Sequence, residues 1–212
     1  MYQLYYARNN ASIAPHMLLH HMRLDYELVL VDRKANAQKS ASYLKLNPAG
    51  RVPTLVHNGQ AIFESPAICI HLCEQHPEHQ LMPPLGSPLR PLFFQWLAYL
   101  NNTLQTALLV YYYPQRHTTD ETAINGVKAA ERVQIGNALS VLDKQLQQGK
   151  YLLGEQISAC DFFLVMLCGW LPNIEDAKKQ CPNLVRYLRE MAKHPTVKAV
   201  YEKEGVSLAC FG

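Results

Sequence analysis

Short runs of Leu, Val and Tyr at Gln3–Tyr6 and Glu27–Val31 are β-prone, and between them the apolar positions over Ala14–Met22 recur at three- and four-residue spacing. Branched and aromatic side chains favour a strand, and the helical spacing keeps one face of a helix apolar, so the opening segment predicts strand, helix, strand. Pro15 starts the helix, since a first-turn position needs no N–H donor. Two further short runs, Thr54–His57 and Gln60–Phe63, flank Asn58-Gly59, the pair that best tolerates the two positive φ angles of a type I′ turn. A hairpin follows, and Pro66 opens a helix running to about Gln75. The first eighty residues therefore spell β-α-β followed by β-β-α.

Pro77, Pro83, Pro84, Gly86, Pro88 and Pro91 break both periods. Beyond them, Leu89–Tyr112, Glu121–Gln147, Cys160–Leu171, Asn183–Ala192 and Val197–Lys203 all carry helical spacing with no strand between them. Ser158 and Asp161 fit the two ends of a capping box before the third of these helices, with Ile157 and Phe162 placed to staple it. The expected organisation is an α/β domain over residues 1–80, a linker over 81–90 and an all-helical domain over 91–212.

Composition changes this picture little. Of 212 residues 49% are apolar, enough for one large core or two smaller ones. The net charge of +3 is spread over both halves, +1 from seven basic and six acidic residues up to position 80 and +2 from thirteen and eleven beyond it. No basic surface for nucleic acid is indicated. The longest apolar run, Phe162–Leu171, is about half the roughly twenty residues of a membrane span, and Met1-Tyr2-Gln3 leads straight into a strand pattern; no membrane attachment and a cytoplasmic location are expected. The six cysteines contain no CxxC pair and fall in apolar helical patterns, as reduced buried thiols do. Cys69 and Cys73 share a helix face, but His71 points elsewhere and no second ligand pair accompanies them, so no metal site is expected.

The candidate chemistry lies at the ends of the first-domain elements. Pro53 lacks an N–H, and a cis Val52–Pro53 bond would turn the Val52 backbone outward, where a peptide ligand can pair with it as an added strand. Ser65 falls at a helix start whose free N–H groups and positive dipole end attract a carboxylate, while Glu64 beside it suits an ammonium; together they fit an α-amino-acid head group. Lys34, after the second strand, can reach a carboxylate at the ligand's other end, with Arg33 an alternative. Ser12 enters the first helix, where a hydroxyl and free N–H groups stabilise a thiolate relative to its thiol. Each feature alone also has a purely structural explanation as a strand-opening proline, a helix cap or a surface lysine.

Taken in order, Leu4-Tyr5-Tyr6, Ser12-Ile13-Ala14-Pro15-His16, Leu46-Asn47-Pro48-Ala49-Gly50-Arg51-Val52-Pro53, Glu64-Ser65, Gln95-Trp96-Leu97, Ser158–Asp161 and His194-Pro195-Thr196-Val197 with Glu204-Gly205 resemble the cytosolic glutathione S-transferases, most of all the bacterial beta class. The resemblance spans nearly the whole chain. It implies a thioredoxin-like first domain, an all-α second domain, a two-fold homodimer, and conjugation of glutathione, a co-substrate with no permanently bound cofactor, to small hydrophobic electrophiles. It gives glutathione-binding roles to Lys34, Val52, Pro53, Glu64 and Ser65, and the thiolate-stabilising role to Ser12, with Tyr5 as the second candidate. Leu108, Tyr111, Tyr112 and Tyr113 are candidates for the acceptor pocket wall. The sequence departs from the class at Ala11, where the class has a cysteine, and at Gln105, where it has a histidine. Those departures argue against thiol-disulfide exchange and keep two other readings open: a transferase-like interaction protein without turnover, and a glutathione-dependent isomerase or dehalogenase.

Overall fold

The computed structural model describes residues 1–211. A four-stranded sheet with the order β2-β1-β3-β4 is formed by β1 (Tyr2–Tyr6), β2 (Tyr26–Leu30), β3 (Thr54–His57) and β4 (Gln60–Phe63). β1 runs parallel to β2 and antiparallel to β3, and β3 pairs antiparallel with β4. The crossover from β1 to β2 is α1 (Ile13–His21), and the hairpin between β3 and β4 turns at Asn58 and Gly59 with φ of 50° and 78°, as a type I′ turn requires. A single-turn helix, α2 (Ala41–Leu44), lies on the longer path from β2 to β3, capped by Ser40, whose hydroxyl accepts the Tyr43 N–H at 3.2 Å. α3 (Ser65–Gln75) follows β4 and completes a thioredoxin-like domain.

Helices make up the rest: α4 (Arg90–Tyr99), α5 (Thr106–Tyr112), α6 (Ile124–Leu146), α7 (Ala159–Cys168), α8 (Ile174–Gln180), α9 (Pro182–Lys193) and α10 (Pro195–Glu204). The sequence pattern reads one continuous helix over Leu89–Tyr112, but residues Leu100–Gln105 are a π-helical segment between α4 and α5. Polar side chains compete for the backbone there, and the Thr106 hydroxyl donates to the Asn101 carbonyl at 3.4 Å. α8 is a further element that the sequence pattern leaves unmarked.

Two helices buried along most of their length lie where the domains meet. Ile13 to Leu19 of α1 are all buried, and so are all ten residues of α7; apart from His16 and Asp161 these stretches are apolar, and such a stretch must be covered on every side. α1 packs against the sheet, α3, α7 and α10, so the first domain's central helix lies in the second domain's core. The capping box before α7 is formed: Asp161 accepts the Ser158 N–H and hydroxyl, each at 2.8 Å, and its other oxygen accepts the Leu152 N–H at 3.0 Å. Burial outweighs those donors and pushes the Asp161 carboxyl up to about 6. Across the domain junction His16 Nδ1 and Glu204 Oε1 are 2.8 Å apart, both side chains fully shielded, while His16 Nε2 meets the Tyr26 hydroxyl at 3.2 Å.

Candidate functional site

Sheet register gathers the candidate residues on one edge. Tyr5 lies opposite Thr54, and Thr54 opposite Phe63, so the end of β1, the approach to β3 and the end of β4 are neighbours. The Val31 N–H donates to the Tyr6 carbonyl at 2.8 Å, which brings the end of β2 to the same edge. Residues 7–12, 32–36, 51–53 and 64–65 all leave the sheet there.

The Val52–Pro53 bond is cis, and the N–H and C=O of Val52 have no hydrogen-bond partner among the described residues. The flanking backbone, by contrast, is firmly held. The Arg51 carbonyl accepts from the Tyr43 hydroxyl at 2.7 Å and from Asn47 Nδ2 at 2.8 Å, and both side chains also reach the Thr54 hydroxyl. Burial pushes the Tyr43 phenol up, which keeps it a neutral donor. Tyr43 was not singled out by sequence reasoning, and Asn47 entered only within the Leu46–Pro53 stretch of the family resemblance, with no role given to it.

Glu64 occupies the N-cap of α3 with φ 69° and ψ 114°, a backbone conformation costly for a side-chain-bearing residue. Its exposed carboxylate has no partner among the described residues. The N–H groups of Ser65 and Ala67 in the first turn of α3 are likewise unpaired, leaving the positive end of an eleven-residue helix open to an anion. The Ser65 hydroxyl is committed elsewhere: it is buried and donates to the Ala11 carbonyl at 2.7 Å. This bond ties the start of α3 to the start of α1.

Ser12 is wholly buried, and its hydroxyl donates to the Ala7 carbonyl at 3.0 Å while accepting the Ala7 N–H at 3.4 Å. The side chain thus closes the 7–12 loop on itself. Ala11, beside it, is packed into the core. Tyr5 turns to the α2 side of the sheet, where its ring meets Tyr43 edge-on at 5.9 Å. Lys34 is exposed, and its ammonium has no partner among the described residues; only its backbone N–H is engaged, with Asp32 Oδ1 at 2.9 Å. Arg33 points across the domain junction instead, its Nη2 3.3 Å from the Tyr113 hydroxyl.

The helical wall divides in the same way. Leu108 belongs to the core, Tyr112 donates its hydroxyl to the Trp170 carbonyl at 2.6 Å, and Tyr111 accepts from Arg132 Nη2 at 3.1 Å. Among the described residues, Tyr113 is the one of the three tyrosines whose hydroxyl bonds to the first domain. Gln105 ends the π segment with its Oε1 buried and unpartnered. Cys69 and Cys73 lie in the core of α3, burial pushing the first thiol well up and the second up to about 12, while His71 turns away to meet His57 edge-on.

The arrangement can bind an extended peptide: unpaired backbone at Val52 in the middle, a helix N-terminus and a carboxylate at one end, a lysine at the other, and the α1 turn near the centre. Comparison with known proteins gives the family. Residues 1–74 match the family model for the glutathione S-transferase N-terminal domain and residues 95–204 the model for the C-terminal domain. Glutathione S-transferase GstA of Escherichia coli O157:H7 is 25% identical over 206 residues, spanning 96% of this chain and 99% of that protein. Among solved structures, a sphingomonad glutathione S-transferase complexed with glutathione superposes with a TM-score of 0.82 at 28% identity over 97% of this chain and all of that one. The beta-class enzyme of Sphingomonas chungbukensis gives a TM-score of 0.82 at 26% identity over 97% and 100%. With both family models matched in order along the chain, this protein belongs to the glutathione S-transferase family.

Proposed function

We propose that the protein is a glutathione transferase. The observation that carries this reading is the unpaired Val52 backbone next to two helix N-termini joined by the Ser65–Ala11 bond. Glutathione would lie along this edge, its cysteinyl amide paired with Val52 beside Pro53. Its γ-glutamyl carboxylate would rest on the unpaired N–H groups at Ser65, its ammonium on Glu64, and its glycine carboxylate on Lys34. Because the Ser65 hydroxyl already donates to Ala11, the backbone of α3 rather than that hydroxyl supplies the anion's donors.

The sulfur then falls at the first turn of α1. There the glutathione thiol loses its proton to solvent, and the thiolate is stabilised by Ser12, which must exchange the Ala7 carbonyl for sulfur by rotating its side chain. The thiolate attacks the electrophilic carbon of a small hydrophobic acceptor. With a chloroarene the C–S bond forms, the C–Cl bond breaks, and chloride leaves with the bonding pair. We place the protein in the cytoplasm as a homodimer; exposed Leu85, Leu89 and Leu92 around the start of α4 support pairing with a second copy, which light scattering would test.

A conjugation assay with glutathione and a chloronitrobenzene, on wild type and Ser12→Ala, tests the reading. The expected result is turnover in wild type and a pH profile of kcat/KM displaced upward in the variant. A variant that only melts earlier, with an unmoved profile, would leave Ser12 as a loop residue. The inward hydroxyl of Ser12 and the unpartnered Gln105 Oε1 favour one alternative, a glutathione-binding protein without turnover; binding without conjugation of any acceptor would establish it.

A further inference from the structure

Positive charge collects at the junction where the acceptor would lie. Arg33 Nη2 reaches the Tyr113 hydroxyl from the first domain, and the Arg116 guanidinium lies over the Tyr113 ring, 4.3 Å from its centroid. The same phenol ring is therefore held by one guanidinium from each domain. Arg8 joins them by topology: the Val31–Tyr6 bond pairs the ends of β2 and β1, and Arg33 and Arg8 each stand two residues beyond that pair.

None of these arginines forms an ion pair with a carboxylate among the described residues. The acidic groups nearest in sequence are occupied by their own turns. Asp32 Oδ1 accepts the N–H groups of Lys34 and Ala35, and Asp120 Oδ1 accepts the N–H and hydroxyl of Thr122. A phenol with one guanidinium over its ring and another at its hydroxyl, neither of them ion-paired, is complementary to a planar molecule with a carboxylate on its rim: the acceptor packs against this aromatic and cationic stack, and a guanidinium fork donates two parallel hydrogen bonds to the anion.

We infer that the acceptor is a planar electrophile carrying a carboxylate, seated on Tyr113 with its anionic group held by Arg116 and Arg33. This rests on the transferase reading above and names the substrate class for that site. Stacking on a phenol already fixed from both domains orients the electrophilic carbon without ordering a loose side chain. The lysine at the far end of the edge, Lys34, remains for glutathione, so the two anions have separate cationic partners.

The test compares 4-chloro-3-nitrobenzoate with its methyl ester, each rate divided by its uncatalysed rate with glutathione. Wild type should prefer the acid by about tenfold in kcat/KM, the scale of one charge-assisted contact at a half-open site. Arg116→Gln and Arg33→Gln should each erase most of that preference. Equal rates for acid and ester in wild type would overturn the inference while leaving the transferase reading intact. A loss that appears instead in the KM for glutathione would also overturn it, by assigning the guanidiniums to the co-substrate. If neither substrate is conjugated the transferase reading fails, and calorimetric titration with 4-chloro-3-nitrobenzoate then decides the anion site alone. Binding that weakens in Arg116→Gln supports the site, and no binding to wild type overturns it.

Discussion

His16 and Glu204, 188 residues apart in sequence, meet at 2.8 Å with no solvent contact, linking α1 in the first domain to the end of α10 in the second. Replacing Glu204 with Leu leaves a buried imidazole without its acceptor. Breaking a buried pair from one side costs about 3–5 kcal/mol, because desolvation of the remaining group is no longer offset. For a chain of this length each kcal/mol lowers Tm by about 2–4 °C, so Glu204→Leu should melt about 6–20 °C earlier in a thermal scan followed by circular dichroism. The double variant His16→Leu/Glu204→Leu removes both polar partners, exposing only the Tyr26 hydroxyl to the loss of its 3.2 Å contact. Its cost should therefore fall short of the sum of the single costs by about 2–3 kcal/mol in a double-mutant cycle. Additive losses, or a Glu204→Leu protein within 1 °C of wild type, would show that the contact contributes little and that apolar packing alone positions α1. His16 stands one turn after Ser12 on α1, its backbone N–H donating to the Ser12 carbonyl at 2.9 Å; that bond survives both substitutions, so glutathione binding measured by calorimetry should weaken only if losing the side-chain contact shifts α1.

Three further outcomes are expected. Glu64→Gly relieves the positive φ of 69° and should raise stability by about 1 kcal/mol while lowering glutathione affinity; Glu64→Ala should lower affinity without the gain in Tm, and equal effects on Tm would refute the strain. Asp161→Asn presents an amide where three donors need oxygen, leaving at least one buried N–H unpaired, and should cost about 2–4 kcal/mol in denaturant unfolding; a cost below about 1 kcal/mol would mean the cap is dispensable. Burial first, then the positive fields of His194, His79, His20 and Arg23, hold His21 down to about 4. The folded state thus keeps it neutral while the unfolded chain takes up a proton below about 6.5, so stability falls as pH drops from about 6.5 to about 4. Because His21 is only half-buried, the loss at pH 5 is discounted to about 1 kcal/mol, or about 2–4 °C in Tm, and His21→Asn should show a flatter pH dependence; a parallel curve would assign the effect to other groups.

Local rules made most of the fold legible. Asn58-Gly59 specifies its turn because few other residue pairs accept two positive φ angles, and Ser158 with Asp161 specifies a helix start because both ends of the box lie within one turn. What escaped depends on partners remote in sequence or on side-chain competition within a helix. The π segment at Leu100–Gln105 keeps apolar spacing close enough to an α-helix that periodicity does not distinguish them. Arg33 stood as the alternative to Lys34 for the ligand carboxylate. Among the described residues it is Tyr113, eighty residues on, that holds the Arg33 side chain at the domain junction, while the Lys34 ammonium has no partner.

The two serines show where residue type stops and geometry begins. The sequence places Ser12 and Ser65 at helix starts, and there they lie, yet both hydroxyls face inward, to the carbonyls of Ala7 and Ala11. A carbonyl in a loop buried under a helix must find a donor, and a serine at the loop's own end is the nearest one available. The sequence therefore carries the same signal for a ligand-binding hydroxyl and for a loop clasp. The consequence reaches the chemistry. On the proposed reading a ligand thiolate at the start of α1 would find both serine protons already donated to carbonyls, and the Ser12 hydroxyl would contribute only when the sulfur outcompetes Ala7 for it. That competition is why the pH profile of Ser12→Ala, rather than its residual rate, separates a thiolate donor from a clasp.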